Sequence, residues 1–559
     1  MISTSNPATY KQAIDSKDLD EWIAAMHEEL DTLEKMGTWE IKPLPVDRKA
    51  IGCKWVYHIK WGANGNPTQY KARLVARGYS QVYILDCNKT YAPVTRLETI
   101  CLLLGIAAEK DWEIQQIDVK SAHLYGNLDE DIYMEAPPGY DIPKGYTLHL
   151  KKALYGLKQA GWQWYKMLQD KLKAFRLTQI TNDLHTFVVH QMFNGKCHTL
   201  ILPIYVDDLL PMGDKVLVDN FEAFLPDSFE VSAAGDTNFF LGLRIQWIRG
   251  KSLRVDQHAF IDVILKCFHI PESSSIRTPL SLSGKLIPNT APIEDTEVTC
   301  WQAYQSMIRS LMYLMLGTRP NLAYSIRKLA CFSSNPSDNH IHTLQRVFLY
   351  VCNTLHLYLE WFWNGDFHPC GLVDADFAGD ISDRKSTAGY FFSFAGTVFA
   401  WSSKKEHTVA TSTMEAKYIA IYMASQQAAW IYQFYSQISF ELEKPIPIYS
   451  DSQTALNVTT TKQAHKLSKH LDIKLHSMRE CIKCKQIKLI WIKTKNNQAD
   501  ILTKSLPADL FKKHIKSIGL EQTSHLNLED EQAVERELAD LELKNKRECW
   551  IMSVPVFCR

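Results

Sequence analysis

Two adjacent aspartates follow directly on an apolar run in the segment LPIYVDDLLPMG, residues 202–213. The run predicts a buried strand, and the Pro and Gly behind it predict a turn. An aspartate pair alone is weak support for chemistry, because such pairs are common in turns and at helix starts. Successive side chains on a strand point to opposite faces, so one metal ion would bind mainly Asp207 or Asp208 and would need a further carboxylate from another strand.

A candidate for that further carboxylate lies in QQIDVKSAHLYG, residues 115–126. Asp118 ends a second apolar strand there, in a segment that otherwise needs no charge. Two strands that each end in aspartate could hold two divalent cations about 3.5–4 Å apart, the arrangement used for in-line phosphoryl displacement.

The composition is that of a soluble globular protein with several cores. The chain has 559 residues, of which 46% are hydrophobic and 22% charged, and one domain takes about 150 residues. No apolar run reaches the roughly 18 residues of a membrane span and no signal peptide is evident, so we expect an intracellular protein with no membrane partner. The 13 cysteines are scattered, and we expect reduced thiols rather than disulfides.

The charge is unevenly distributed, although the formal net charge is +0. Residues 41–80 carry eight Lys or Arg against one acid, and residues 521–542 carry eight acids against one Arg. A basic face can bind nucleic acid even when an acidic segment elsewhere cancels its charge. Two solvated surfaces explain the same runs, and the sequence leaves both interpretations open.

The order of helical and strand-like patterns predicts an α+β fold. Residues 17–35 have the apolar spacing of an amphipathic helix, and short β-rich runs separated by Pro and Gly follow to residue 75. From residue 370, strands come first and a helix–strand–helix–strand series follows. That order is typical of a compact α/β nuclease-like domain.

Several motifs resemble the Pol polyprotein of copia-type (pseudoviral) LTR retrotransposons. IDVKSAHLYGNLDEDIYMEAPPGY, LYGLKQAGWQWY and IYVDDLL resemble its reverse transcriptase, and VDADFAGDISDRKSTAGY, TSTMEAKYIA and NNQADILTKSL resemble its RNase H region. The match runs in order from about Trp22 to Leu520. It implies a fingers–palm polymerase followed by a helical connection and an α/β RNase H-like domain. The implied boundaries are 1–35 for an N-terminal amphipathic helix segment, 36–280 for the fingers and palm, 281–368 for the linker and connection, 369–506 for the RNase H-like domain and 507–559 for an acidic C-terminal tail.

The resemblance implies roles for residues of the polymerase part. Asp118, Asp207 and Asp208 would be the catalytic triad and would hold two Mg²⁺ ions, with Mn²⁺ as the alternative ion. The residues implied to contact nucleotide or template are Lys71, Arg73, His123, Gly156, Lys158 and Gln159. Lys71 and Arg73 would suit an incoming triphosphate, although ordinary surface charge explains them as well.

The polymerase part departs from the family pattern at three positions. His123 stands where the family usually has Phe, at the ring that lies against the sugar 2′ position, so we expect weaker discrimination against ribonucleotides. Cys101 and Trp162 each stand where the family has Arg, and each removes a positive charge from the region expected to meet nucleic acid. Trp162 and Trp164 could stack bases, but their helical spacing favours a place in the core.

The RNase H block lacks one of the four carboxylates that the resemblance implies. The three that match family positions, and would hold two Mg²⁺ ions, are Asp374, Asp451 and Asp500. The family reads EAEYIA where this chain reads EAKYIA, so Lys417 replaces the fourth. Glu415 follows Ser412 in a capping-box pattern and lies about 200° around the helix from residue 417, so it cannot take over. We therefore expect RNase H activity to be severely reduced or lost.

The predicted function is that of an RNA-directed DNA polymerase, a nucleotidyltransferase that extends a primer on a template, with an attached and impaired RNase H domain. Its partners would be an RNA template, a DNA primer, RNA–DNA hybrid and deoxynucleoside triphosphates, in the cytoplasm within an element particle or in the nucleus. Two alternatives remain open: a non-catalytic nucleic-acid-binding relic, favoured by the departures from the family pattern, and an interaction scaffold. Salt-sensitive binding to RNA–DNA hybrid would favour the relic over the scaffold.

Overall fold

The computed structural model describes residues 6–61, 67–82, 86–87, 94–236, 239–271, 276–282, 284, 286–290, 298–363, 365–460 and 469–522. Within these ranges helices pack beside several small sheets, which confirms the predicted α+β fold class. The described ranges contain no helix that is both long and apolar enough to span a bilayer.

The first part of the chain forms a hairpin backed by a helix. Its elements are α1 (Tyr10–Ile14), α2 (Leu19–Lys35), β1 (Trp39–Pro43), β2 (Cys53–Trp61) and β3 (Pro67–Ala76). The amphipathic helix predicted over 17–35 is α2, which packs on β3. Trp22 of α2 and Leu74 of β3 are buried in one core. The strands β2 and β3 form a two-stranded antiparallel sheet of their own.

The second part contains the sheet that carries the aspartates. Its elements are α3 (Leu97–Lys110), β4 (Glu113–Val119), β5 (Asn127–Met134), β6 (Tyr146–Lys152), α4 (Ala160–Ala174), β7 (Thr178–Gln179), β8 (Thr186–Phe193), β9 (Lys196–Tyr205), β10 (Asp208–Leu209), β11 (Met212–Gly213), α5 (Lys215–Phe224) and β12 (Val231–Asp236). The strand order is β10–β4–β11–β9–β8–β7, with β12 also paired to β4, while β5 and β6 join β1 in a separate sheet. Helices α4 and α5 bury Leu168 and Phe221 in the core beneath the larger sheet.

The third part is mainly helical, and its strands form one sheet with a strand from the fourth part. Its elements are β13 (Phe239–Phe240), β14 (Leu243–Ile248), β15 (Ser252–Asp256), α6 (His258–Cys267), α7 (Val298–Gly317), α8 (Ala323–Ala330), α9 (Asp338–Cys352) and β16 (Leu357–Phe362). Helices α7, α8 and α9 pack on one another.

The fourth part is a mixed sheet crossed by a long helix. Its elements are β17 (Cys370–Asp376), β18 (Thr387–Phe394), β19 (Thr397–Lys405), α10 (Thr413–Gln437), β20 (Ile446–Ser450), α11 (Gln453–Thr460), α12 (Lys469–Lys483), β21 (Ile487–Trp491), α13 (Ala508–Ser517) and β22 (Leu520–Gln522). The strand order is β19–β18–β17–β20–β21, antiparallel from β19 to β17 and parallel from β17 to β21. Helix α10 packs across β17 and β18.

The residues from 507 to 522, grouped with the acidic tail by the sequence pattern, fold against the rest of the chain. The strand β22 completes a sheet of order β13–β14–β15–β16–β22, in which Leu520 pairs with Leu359. Phe511 and Leu520 are buried because they face the large core. The remainder of the tail lies outside the described residues.

The second and fourth parts share a core rather than meeting at a thin linker. One hydrophobic cluster runs from α3 through α7, α8 and α9 into the sheet below α10. Gly105 of α3 permits the close approach, because a Cβ there would lie 2.1 Å from the Phe394 ring. At the edge of this contact, the Asn182 amide donates to the Trp430 carbonyl at 3.3 Å, and the Trp430 indole donates to the Asn182 carbonyl at 3.2 Å.

Candidate active sites

The sheet places two of the predicted polymerase aspartates opposite each other. Strands β4 and β10 are antiparallel, and the Cα of Asp208 is paired with the Cα of Asp118. Paired positions project to the same face of an antiparallel sheet, so both carboxylates share one face. Both are half-exposed, and the Gln116 side-chain amide donates to Asp208 Oδ1 at 3.3 Å.

The third aspartate lies in the tight turn that joins β9 to β10. Asp207 is half-exposed, and its carbonyl accepts from the Val119 amide at 3.1 Å, which fixes it beside β4. Val206 has a φ of 58°, a backbone conformation that β-branched residues rarely adopt. The turn is held from below, because the Trp164 indole N–H donates to the Val206 carbonyl at 2.6 Å. Trp164 is buried in the core, as its helical spacing favoured, and this contact was not foreseen.

Tyr155, which the sequence analysis did not single out, lies against the hairpin residue Arg73 and senses the charges of the aspartates. The Arg73 guanidinium lies over the Tyr155 ring, 5.0 Å from its centroid. Burial raises the pKa of Tyr155 to about 12, with Arg73 opposing the shift and the charges of Asp207 and Asp118 adding to it. Tyr155 is therefore within electrostatic reach of both the hairpin cation and the sheet carboxylates. Its position directly before Gly156 in the LYGLKQA motif could have marked Tyr155 as a site residue.

His123 packs against the same tyrosine. Its ring meets the Tyr155 ring edge-on at a centroid distance of 4.8 Å, from the short 3-10 helix Ala122–Tyr125 that follows β4. Burial, with the positive charge of Arg73 adding to it, lowers the pKa of His123 to about 4. The imidazole is therefore neutral at neutral pH and presents an uncharged ring.

Lys71 and Arg73 lie on one side of β3. They alternate with the buried residues Ala72 and Leu74, and both are half-exposed. Glu29 of α2 accepts from the Leu74 amide at 3.2 Å, and burial raises its pKa although Arg73 and Lys71 oppose that shift. The two basic residues thus have an acidic neighbour at the base of the hairpin.

Contacts between the hairpin region and the segment before α4 are made by Gly156, Lys158 and Gln159. Gly156 has a φ of 90°, and a Cβ there would lie 2.2 Å from the Ala76 carbonyl oxygen. The buried Gln159 side chain accepts from the Gln81 amide at 3.0 Å, and the Lys158 ammonium donates to the Gln81 carbonyl at 3.0 Å. These contacts are internal, so contact of Lys158 or Gln159 with a template stays a prediction.

Cys101 lies away from any surface that nucleic acid could meet. Its side chain is 1% exposed and points toward the Gly317 carbonyl at 4.0 Å, between α3 and α7. The expectation that position 101 faces nucleic acid is wrong, because α3 is buried almost all round. Trp162 is half-buried, with its ring 6.0 Å from that of Tyr165.

Two of the three predicted nuclease carboxylates contact one lysine, and the third contacts another. Asp374 lies in β17, Asp451 follows β20, and Asp500 lies in the 3-10 helix Gln498–Leu502. The Lys417 ammonium, reaching in from α10, is 3.2 Å from Asp374 Oδ1 and also hydrogen-bonds Asp451 Oδ1. The Lys504 ammonium is 2.9 Å from Asp500 Oδ1.

The protonation of this cluster follows from burial and the two lysines. Burial works to raise the pKa of Asp374, but Lys417, the Thr503 hydroxyl and Lys504 together hold that pKa below its usual value. Burial and the neighbouring Asp374 charge raise the pKa of Asp500 to about 6, with Lys504 opposing the rise. The two lysines thus stabilise the ionised form of carboxylates whose pKa burial alone would raise.

Glu415 serves the start of α10 rather than the cluster. The Ser412 hydroxyl accepts from the Glu415 amide at 3.2 Å, and Glu415 Oε2 accepts from the Thr411 amide at 2.8 Å. The prediction that Glu415 supports the helix N-terminus is confirmed. Its carboxylate reaches one residue further back than a standard capping box requires.

The two centres differ in how well they fit divalent cations. In the part of the chain that the structure describes, no three Asp, Glu, His or Cys side chains are gathered as metal ligands. Asp118 and Asp208 offer half-exposed carboxylate oxygens on one face, the ligand type that Mg²⁺ prefers. At Asp374 and Asp451 the Lys417 ammonium already lies between the carboxylates, so those residues do not fit a divalent ion.

Comparison with known proteins gives the family. Residues 36–282 match the family model described as reverse transcriptase (RNA-dependent DNA polymerase). The chain is 33% identical over 522 residues to the retrovirus-related Pol polyprotein from transposon TNT 1-94 of Nicotiana tabacum, covering 92% of this chain and 39% of the relative. It is 32% identical over 527 residues to the corresponding polyprotein from transposon RE1 of Arabidopsis thaliana, covering 93% and 35%. The chain therefore spans well under half the length of these relatives.

A solved structure, that of the foamy viral protease-reverse transcriptase in complex with dsDNA, is similar at a TM-score of 0.45 and 13% identity. That likeness covers 85% of this chain and 83% of the other, and at this level it supports no argument. The sequence matches carry the assignment: residues 36–282 are a reverse transcriptase domain, in a chain homologous to the Pol polyproteins of copia-type retrotransposons.

Proposed function

We propose that the chain is an RNA-directed DNA polymerase that adds deoxynucleotides to the 3′-hydroxyl of a primer, on an RNA or DNA template. The observation that carries this proposal is the pairing of Asp118 with Asp208 on one face of the sheet, inside a reverse transcriptase domain. Asp207, in the adjoining turn, supplies a third carboxylate. The pairing favours a working polymerase over a non-catalytic relic or a scaffold, since neither needs this arrangement.

The three aspartates would hold the magnesium ions. When bound there, such ions activate the attacking 3′-hydroxyl and stabilise the leaving pyrophosphate. The chain's own contribution is positional: β4 and β10 set the distance between Asp118 and Asp208, and the hydrogen bond from Trp164 fixes the turn that carries Asp207. Preorganised charges of this kind need no rearrangement during the reaction.

The hairpin side of the site would receive the triphosphate. Arg73 is held over the Tyr155 ring, and Lys71 lies on the same side of β3. Cationic side chains so placed make strong, charge-assisted hydrogen bonds to phosphate oxygens. Tyr155, which lies against Arg73 and whose pKa is influenced by the charges of Asp207 and Asp118, would then border the triphosphate.

His123 would border the sugar of the incoming nucleotide. Its neutral ring is fixed edge-on against Tyr155. A histidine ring is smaller than the phenylalanine usual in the family, so a ribonucleotide 2′-hydroxyl would be excluded less strictly. The corresponding partners are an RNA template, a DNA primer, RNA–DNA hybrid and deoxynucleoside triphosphates, in the cytoplasm or nucleus of a host cell.

The proposal is tested by primer extension on a poly-A template with dTTP and Mg²⁺. The parent chain is expected to extend the primer, and the double variant Asp207→Asn, Asp208→Asn is expected to lose extension. Asp219→Asn is the matched control, since Asp219 lies on α5 in an exposed ion pair with Lys215. Extension by the double variant at the parent rate, or none by the parent while hybrid binding persists, would refute the proposal.

A further inference from the structure

Lys417 occupies the centre of the nuclease-like carboxylate cluster. The Asp374 and Asp451 side chains are 1% and 3% exposed, and the Lys417 side chain that joins them is 16% exposed. The ammonium therefore lies in an almost closed site and not on the surface of the domain.

Burial makes the charge of Lys417 necessary. An unpaired buried carboxylate is strongly unfavourable, and two side by side repel each other as well. Lys417 hydrogen-bonds both Asp374 and Asp451, while Lys504 pairs with Asp500 and lies 3.9 Å from Asp374 Oδ2. Two ammonium groups thus pair with three carboxylates.

The same geometry works against a metal ion at this position. Mg²⁺ requires oxygen ligands at about 2.0–2.1 Å in near-octahedral geometry. The Asp374 Oδ1 oxygen points at Lys417, and Asp374 Oδ2 accepts from the Thr503 hydroxyl at 2.6 Å. A divalent ion bound to these oxygens would also lie next to an ammonium, a strong repulsion in a site that excludes water.

Glu415, on the same helix, does not compensate. Glu415 is committed to Thr411 on the other side of α10. Position 417 is the only place on this helix turn from which a side chain reaches both Asp374 and Asp451 among the described contacts. The identity of this one residue therefore decides which cation the cluster holds.

We propose that Lys417 is a built-in counter-cation: its ammonium takes the place of a divalent metal ion between Asp374 and Asp451, beside the Asp500–Lys504 pair, so that the RNase H-like domain is assembled without metal and binds none at this cluster. Loss of hybrid cleavage is a consequence. The cluster keeps its remaining ligands, so replacing Lys417 with a carboxylate opens it to metal.

The test measures metal binding rather than activity. Mn²⁺ binding is followed by isothermal titration calorimetry on the full chain carrying Asp207→Asn and Asp208→Asn, which removes the polymerase ligands. We expect no binding that depends on Asp374 in this background. Adding Lys417→Glu is expected to create a saturable Mn²⁺ site, about 10-fold or more above any residual affinity, and Asp374→Asn is expected to abolish it.

Two outcomes overturn the proposal. One is Asp374-dependent Mn²⁺ binding with Lys417 present. The other is a folded Lys417→Glu chain, judged by circular dichroism, that binds no Mn²⁺. If the glutamate variant does not fold, Lys417→Gln takes its place, because it removes the ammonium without adding charge and is expected to bind Mn²⁺ more weakly than the glutamate would. Primer extension by Lys417→Glu in the otherwise unchanged chain measures the proposed polymerase activity independently of metal binding at Asp374.

Discussion

The turn that carries Asp207 depends on a residue 42 positions earlier in the chain. Trp164 donates to the Val206 carbonyl and lies buried against the Tyr125 and Phe229 rings. We expect Trp164→Phe, which keeps an aromatic ring but deletes the donor, to lower kcat about 10-fold and to leave KM for the nucleotide nearly unchanged. Steady-state kinetics with dTTP measure both constants.

The matched control for that variant is Trp361→Phe. Trp361 is fully buried in β16, and its indole N–H has no hydrogen-bond partner among the described residues. Both variants lose similar ring volume, so both should be destabilised by about 1–2 kcal/mol. Equal loss of kcat in the two variants would show that stability, and not the hydrogen bond to the turn, is responsible.

Glu406 makes the stability of the chain depend on pH. Its carboxylate oxygens are buried with no hydrogen-bond partner in the described part of the chain, and burial raises its pKa to about 8. Because the folded pKa lies above the unfolded value, the stabilisation is fully present at low pH and is lost as the pH rises from about 5 to about 8. Glu406→Gln should remove that dependence, at most about 5 kcal/mol.

Urea unfolding near both ends of this pH range measures the effect. Glu443→Gln, at an exposed carboxylate, is the matched control and should not change the dependence. If Glu406→Gln and the parent chain lose stability equally between the two pH values, the buried glutamate is not the cause.

At the scale of single residues, the sequence predicted the ends of strands better than the contacts between them. Asp118 and Asp208 could be foreseen because each interrupts an apolar strand pattern at its end. The bond from Trp164 and the position of Tyr155 could not be foreseen, since each joins segments that are distant in sequence. Cys101 was misplaced because a substitution pattern carries no information about burial.

Among the elements, the close packing between the hairpin and the LYGLKQA segment requires a glycine at position 156. Gly156 has a positive φ and meets the backbone of β3, with 2.2 Å left between its ideal Cβ and the Ala76 oxygen. We expect Gly156→Ala to destabilise the chain by more than about 2 kcal/mol and to reduce primer extension. Thermal unfolding and extension assays measure the two effects.

Gly145 provides the control for backbone strain alone. Its φ of 89° is nearly the same, but a Cβ there would meet nothing within 4 Å. Gly145→Ala should therefore cost only the strain of about 1 kcal/mol and leave extension intact. If the two alanine variants behave alike, close packing at Gly156 is not what matters.

The elements themselves were largely predictable where the hydrophobic period is strong. Helix α2 starts two residues later than predicted and ends at the predicted residue, because its apolar stripe is regular. The helix α13 and strand β22 were merged with the acidic tail, since β22 has only three residues and its partner β16 lies about 160 residues away. Pairing over such a distance leaves no local pattern.

For the whole molecule, the described part of residues 369–506 is packed against the reverse transcriptase domain. This part shares a core with α3, and β22, which follows it in the chain, completes the sheet of β14, β15 and β16. A chain that ends at residue 368 would expose those apolar faces, so we expect it to be insoluble or to lose at least about 10-fold in extension. A chain that ends at residue 522 keeps every described contact and is the matched control.

Solubility and extension of the two truncated chains decide the point. Full activity of the chain ending at residue 368 would show that the two parts fold independently. This dependence offers a reason for a chain to retain the domain after Lys417 has closed its carboxylate cluster.

The most direct measurement of the central claim is the rate of incorporation of a single dTTP by Asp118→Asn in rapid-quench kinetics. If Asp118 and Asp208 jointly hold the ions that drive nucleotide addition, the rate should fall by at least about 10³-fold, while Asp219→Asn keeps the parent rate. Incorporation by Asp118→Asn within a few-fold of the parent rate would contradict the assignment of the paired aspartates as the polymerase centre.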